Sequence, residues 1–136
     1  MKVYRCPSDE TTSGDLFYGP GNYATNNLIC AKRAKFSRDF PNGMARTILF
    51  AEKYAACSYW ALAEGREVPW YVANESSGFQ IRPLECDPSL PQSPHRGYIQ
   101  VGMVDGSVRS VASSISHAEW YGMNGPAGGN HLDDEQ

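Results

Sequence analysis

This chain is short of the features that assign a reaction at sight. No apolar run approaches the roughly 20 residues of a membrane span, and Met1-Lys2-Val3-Tyr4 does not read as a signal peptide. Cys-x-x-Cys is absent: Cys6, Cys30, Cys57 and Cys86 are widely spaced, which sets aside a zinc knuckle or a thioredoxin-type motif. Charge of one sign is scarce too. Twelve basic against fifteen acidic residues leave a net −3, so bulk electrostatics predict no nucleic-acid or polyanion partner. There is no Gly-x-Ser-x-Gly elbow to make Ser93 or Ser107 a nucleophile, and a serine beside a hairpin turn normally bonds to backbone. The acids Asp105 and Asp133 to Glu135 show no Asp-x-Asp spacing of a calcium loop. No internal repeat or low-complexity tract is visible.

What is present is a single domain's worth of chain, 136 residues, rich in turn formers, with 13 Gly and 9 Pro. That composition favours short strands over long helices. The strongest local signal runs from His95 to Ala112, where two alternating segments flank Asp105-Gly106. Asp-Gly between β-type runs predicts a hairpin with both residues at the centre of a type I′ turn. Val104 is then expected opposite Ser107, and Met103 opposite Val108. Ile99, Val101, Met103, Val108 and Ala112 would form the apolar face. Gln100, Gly102, Ser107 and Arg109 would lie on the other, with Tyr98, Val104 and Val111.

Thr47 to Tyr54 is a nearly continuous apolar run with a β-branched start, which suits a central strand, and Asn42-Gly43 before it is a turn. Tyr18 to Ile29 is turn-rich and leads into a short apolar segment. Between Ala55 and Gln92, Tyr59-Trp60, Val68 to Val72 and Phe79 to Ile81 are short strand candidates in an insertion-like lobe, with Pro69 marking an edge or loop. Pro83, Pro88, Pro91 and Pro94 predict an extended, hydrogen-bond-poor approach to His95. Ser116-His-Ala-Glu119 has the form of a capping box, so a short helix through Trp120 and Tyr121 should end near Gly122 or Gly125. Residues 130–136 read as a frayed tail.

A histidine, nine residues, then Asp-Gly-Ser-Val-Arg resembles the signature of the prepilin-type processing-associated family of planctomycete bacteria. Three weaker matches accompany it. They are Cys6-Pro-Ser-Asp9, Asn22-Tyr-Ala-Thr-Asn26, and the run from Thr47 with a Glu near its end. Before that run the family shows Asp-Gly-Thr-Ser-Asn-Thr. This chain has Asn42-Gly-Met-Ala-Arg-Thr47, which removes the acid and two side-chain oxygens and with them the case for an ion in that loop. The resemblance covers residues 3–9, 22–54 and 93–129. It implies an α+β fold with a mainly antiparallel sheet, a C-terminal β-hairpin and short helices: the globular head of a pilin-like or pseudopilin-like subunit, here without its N-terminal helix. In such proteins a prepilin leader and a long apolar helix precede the head, and subunits associate through that helix; the isolated head is expected to be a monomer. The family has no established biochemical activity.

The function expected from this is structural, in an exported surface or secretion-associated protein, with no catalytic residue, cofactor or metal assigned. The alternative, from another class, is a glycan- or ligand-binding module using Trp60, Trp70 and Tyr71 as a flat stacking platform; an enzyme ranks third. The same rings equally suit a small core. The basic cluster Lys32, Arg33, Lys35 and Arg38 lacks a Gly-rich cradle or interleaved aromatics and reads as a solvated loop. An even cysteine count suits two disulfides in an oxidising compartment, and four cysteines allow three connectivities. The sequential pairing, Cys6–Cys30 with Cys57–Cys86, is the first expectation, against the alternative of buried free thiols. His95 and Asp105 stand ten residues apart, roughly 33 Å along an extended strand at ~3.3 Å per residue. They are therefore expected to be two architectural devices, Asp105-Gly106 making the turn and His95 capping the strand entry by bonding to backbone.

Overall fold

The computed structural model describes residues 5–10, 21–30, 39–57 and 78–125. Among them, in chain order, are β1 (Tyr23–Thr25), α1 (Asn27–Cys30), a single 3-10 turn (Met44–Arg46), β2 (Ile48–Glu52), β3 (Gln80–Ile81), β4 (Gln92–Ser93), β5 (Tyr98–Met103), β6 (Val108–Ala112) and α2 (His117–Asn124). The sheet that carries the fold is four-stranded and antiparallel, in the order β1-β2-β5-β6. The expected α+β class with a mainly antiparallel sheet is observed. The apolar run from Thr47 is an interior strand, as expected.

β5 has the alternation expected of a strand with one buried face: Ile99, Val101 and Met103 are buried while Tyr98, Gln100 and Gly102 are half-buried on the other side. In β2 the apolar residues are consecutive rather than alternating, and a bulge reconciles them with the sheet. The register moves by one between Ile48↔Met103 and Phe50↔Gly102. Ile48 and Ala51 therefore both reach the core, although three residues apart, and Phe50 is turned to the opposite face. The core joins Ile48, Ala51, Ile99, Val101, Met103 and Val111 to Trp120 of α2, with Phe79 stacked at a tilt on Trp120 (centroids 4.7 Å, 55°). α2 starts on the expected capping box. Ser116 Oγ accepts from the Glu119 N–H at 3.2 Å, and the Ser116 N–H donates back to Glu119 Oε2 at 3.2 Å. A second, smaller cluster of Ile29, Phe40 and Val104, with Leu49 against it, closes the end of the sheet near the 3-10 turn.

The hairpin stands where the sequence puts it, with a different turn and therefore a different register. Only Gly106 of the Asp-Gly pair has positive φ (+86°). Gly106 N–H donates to Met103 O (3.0 Å) and Met103 N–H to Ser107 O (2.8 Å). This is a type I turn over Val104-Asp105 followed by a glycine bulge, one residue longer than the expected type I′ turn. The Asp105 carboxylate favours it, because its Oδ1 accepts from both the Ser107 N–H (2.9 Å) and hydroxyl (2.6 Å). The extra residue pairs Gly102 with Val108 and Ile99 with Val111. The expected apolar face is thus corrected on β6: Val111 enters the core, while Val108 (72 % exposed) and Ala112 lie on the other face. Val104, assigned to the mixed face, is buried in the second cluster.

The proline-rich approach to His95 is not poor in hydrogen bonds. Residues 80–81 and 92–93 pair in parallel, with Gln80 N–H donating to Pro91 O and Arg82 N–H to Ser93 O, each at 2.9 Å. Proline lacks a donor but keeps its carbonyl, so this segment serves as the acceptor side. Cys57 and Cys86 form a disulfide with Cα atoms 5.8 Å apart, as expected. The expected Cys6–Cys30 bridge is not formed: Cys6 is a buried free thiol and Cys30 an exposed one. The reason lies in β1. Cys6 is held at the Asn22 end of that strand and Cys30 follows from the Asn26 end, where Asn26 N–H donates to Leu49 O. No helix of the described residues is long and apolar enough to cross a membrane.

Candidate functional site

The site forms where the segment 5–10, the end of β2 and the entry to β5 meet. Cys6-Pro7-Ser8-Asp9 is a turn closed by Asp9 N–H to Cys6 O (3.1 Å). Asn22, fully buried, fastens it down. Its Oδ1 accepts from the Cys6 N–H (2.8 Å), and its Nδ2 donates to Asp9 Oδ2 (2.5 Å) and to Lys53 O (3.1 Å). Asp9 Oδ2 also accepts from the Ala55 N–H (3.1 Å). At the other end of β1, Asn26 Nδ2 donates to Ile48 O (2.9 Å) and Asn124 O (2.7 Å), tying β2 to α2. The two asparagines of the Asn22-Tyr-Ala-Thr-Asn26 motif are thus a pair of buried brackets, one at each end of its strand.

Glu52 terminates β2 only 2 % exposed. A buried carboxylate is costly unless every oxygen finds a donor. Oε2 accepts from the Ser93 hydroxyl (2.8 Å) and the Gln100 N–H (2.9 Å). Oε1 lies 3.0 Å from His95 Nε2. The His95 ring stacks on Tyr98 (centroids 5.0 Å, 5°), and the His95 N–H donates to Ser93 Oγ (3.2 Å). Cys6 Sγ lies 4.0 Å from the same Nε2. The thiol, one carboxylate oxygen and the imidazole nitrogen all fall within 4.8 Å of one another.

These three groups open onto a hollow of about 700 Å³ on the face of the sheet opposite α2. Phe50, Gly102 and Val108 floor it; Tyr23 stands beside Glu52, its cross-strand partner. Phe50 (43 %) and Val108 (72 %) leave an apolar surface exposed there. The Tyr23 phenol is held above its ordinary pKa, by burial first and then by electrostatic interaction with Cys6 and Glu52. Beyond this corner, burial pulls Lys53 down to about 8 against the opposing pull of Asp87, and its Nζ donates to Pro88 O.

A nucleophilic relay needs an imidazole that bonds its base-orienting acid through one nitrogen and the nucleophile through the other. Here thiol and carboxylate both face Nε2, which is the arrangement of three donors aimed at a common point.

His95 and Asp105, the ends of the signature, have separate partners: Glu52 and Cys6 for the first, Ser107 for the second. Asp105 and Gly106 lie in the turn between β5 and β6. The expected backbone cap by His95 is corrected, since its ring meets a carboxylate, not backbone. Ser93 is buried against Glu52 and Ser107 is bonded to Asp105. Trp60, Trp70 and Tyr71, and the basic cluster of Lys32, Arg33, Lys35 and Arg38, lie outside the described residues. Reading the chain from sequence passed over Glu52 as a partner of His95, and Asn22 and Asp9 as the clamp on Cys6. One signal was available, an acid set into an otherwise apolar strand. Compared with protein-family models, with curated proteins and with solved structures, the chain matches none.

Proposed function

We propose that this chain is the globular head of a pilin-like or pseudopilin-like subunit, exported to the cell surface, periplasm or extracellular space, with a structural rather than enzymatic role. The observation that carries the reading is the meeting of Cys6, Asn22, Glu52 and His95 at one junction. They come from four separate motifs on which the resemblance rests. Motifs scattered over some 90 residues gain meaning as a set when they build one piece of architecture, here the clasp holding the N-terminal segment to β2 and β5. The Cys57–Cys86 disulfide is compatible with export. In this reading the isolated head is a monomer, and neighbouring subunits associate through a helix preceding it.

The test is the coding sequence upstream of Met1, together with fractionation of the native host. A leader of the Phe-Thr-Leu-Ile-Glu type followed by a long apolar helix, and recovery of the protein outside the cytoplasm, is the expected result. A cytoplasmic protein whose gene encodes neither would overturn the assignment.

A further inference from the structure

We propose that Cys6, Glu52 and His95 form a three-ligand site for a zinc-like divalent cation, with its fourth position open to the hollow on the sheet face opposite α2. The donor set is the first reason. One thiolate, one imidazole nitrogen and one carboxylate oxygen are the ligand types that zinc takes, and the mixture of soft and hard donors excludes magnesium or calcium as the fitting ion.

Distance is the second. Around a tetrahedral ion with N and O at ~2.0 Å and S at ~2.3 Å, the N and O ligands sit about 3.3 Å apart and the N and S ligands about 3.6 Å. The observed separations are 3.0 Å for His95 Nε2 to Glu52 Oε1 and 4.0 Å for His95 Nε2 to Cys6 Sγ. The third pair, Cys6 Sγ and Glu52 Oε1, lies within 4.8 Å, so side-chain adjustments on the order of an ångström bring all three to bonding distance of one ion.

Rigidity and charge are the third. Each ligand is already held by a second contact that binding leaves intact. The Cys6 backbone is fixed by Asn22, Glu52 Oε2 by Ser93 and Gln100, and the His95 ring by stacking on Tyr98. Outer partners of this kind orient metal ligands. A dication with one thiolate, one carboxylate and a neutral imidazole makes a neutral unit, which suits a corner where Glu52 is 2 % and Cys6 6 % exposed. On binding, the Cys6 thiol releases its proton to solvent and forms the S–metal bond. His95 binds as the neutral imidazole with its proton on Nδ1, so that Nε2 offers its lone pair, and Glu52 Oε1 exchanges its contact with His95 for the metal. All three residues line the hollow, so a water or a ligand atom completes the shell from that side.

The experiment titrates the full chain, kept anaerobic with Cys57–Cys86 intact, with Zn²⁺ and with Co²⁺. One equivalent of Co²⁺ should give a thiolate-to-cobalt charge-transfer band with tetrahedral d–d absorption, and X-ray absorption of the Zn²⁺ form should find one sulfur with nitrogen and oxygen neighbours. Cys6→Ser should remove the band. Cys6→Ser, Glu52→Gln and His95→Gln should each weaken Zn²⁺ by at least about a hundredfold. Cys30→Ser, at the exposed thiol, should change neither. Absence of the band at one equivalent, two sulfurs around zinc, or a band that disappears with Cys30 rather than Cys6 would overturn the site. Repeated on Cys30→Ser, which leaves Cys6 as the free thiol, the X-ray absorption result needs no change at the site and decides the question even if Cys6→Ser fails to fold. Neither outcome bears on whether the chain is a pilin-like head.

Discussion

At the scale of single residues, two positions carry more than their neighbours. Gly106 sits at φ +86° with nothing within 4 Å of where a Cβ would stand. A substitution there meets no steric partner, so its whole cost is backbone conformation. Gly106→Val should lower unfolding free energy by about 1–2 kcal/mol in a urea titration, and Gly106→Asn by clearly less, because asparagine tolerates the left-handed region. Equal losses for Val and Asn would point to a contact rather than to φ. His95 carries a different cost. His95→Ala leaves Oε1 of a 2 % exposed carboxylate without its nearest neighbour. A loss of about 1–3 kcal/mol is expected for a buried polar atom left unpartnered. Glu52→Gln in the His95→Ala background should recover part of it, because the neutral amide is cheaper to bury than the anion. A double variant no more stable than His95→Ala would show that the ring acts by packing on Tyr98 instead.

Elements show where sequence reading succeeds and where it stops. The position of the hairpin, the interior strand after Thr47 and the capping box at Ser116 all follow from local chemistry: alternation, β-branching, and a serine and glutamate three apart. Those rules act within a few residues and the chain obeys them. The register of β6 does not follow, because Asp-Gly serves two turns that differ by one residue. The choice is made by the Ser107 hydroxyl and N–H on Asp105, a detail of one side chain. The Cys6–Glu52–His95 corner was invisible for a related reason. Its members are 46 and 43 positions apart, and periodicity has no reach over such separations. The same logic of one carboxylate organising a turn recurs at residues 87–92. There Asp87 Oδ1 accepts from the Ser89 hydroxyl (2.6 Å) and N–H (2.8 Å), and Asp87 N–H donates to Gln80 Oε1 (2.8 Å). The side-chain hydrogen bond from Ser89 holds the Asp87 carboxyl below its ordinary 3.8, assisted by the backbone bond and by Lys53 and opposed by burial. A depressed folded value means that the unfolded chain takes up the proton first as pH falls. The contribution is complete above 3.8 and disappears as pH drops through the lower folded value. Ser89→Ala should therefore flatten the acid limb of a melting-temperature-against-pH curve below about pH 4, while shifting neutral-pH stability little, since Asp87 is largely solvated. An unchanged acid limb would remove Asp87 from the account.

For the whole molecule, the question is what keeps segments with little regular structure on a small sheet. The described sheet uses few residues, and both β3 and β4 are two residues long. Packing alone gives such short pairs little independent stability. Three long-range ties act instead: Asn22 on the N-terminal segment, Glu52 on the entry to β5, and the Cys57–Cys86 disulfide across a separation of 29 residues. The disulfide is the one that works through the unfolded chain as well as the folded one. In the chain-entropy model, closing a loop of about 30 residues raises folding stability by about 3.5 kcal/mol. That is a large part of the 5–15 kcal/mol typical of a domain. Replacing both cysteines together, Cys57→Ser with Cys86→Ser, should consequently lower the melting temperature sharply, and the same fall should follow from selective reduction of the native chain. Hydrogen exchange locates the effect. Amides of Gln80 and Arg82, whose acceptors Pro91 and Ser93 lie across the β3–β4 pair, should lose protection first. Those of Ile99 and Val101, in the core, should hold theirs until global unfolding. Uniform loss of protection across both sets would mean that the bridge supports the sheet as a whole. Loss confined to residues 80–93 would mean that it fastens this lobe to a sheet that stands without it, and the clasp at Glu52 favours that second outcome.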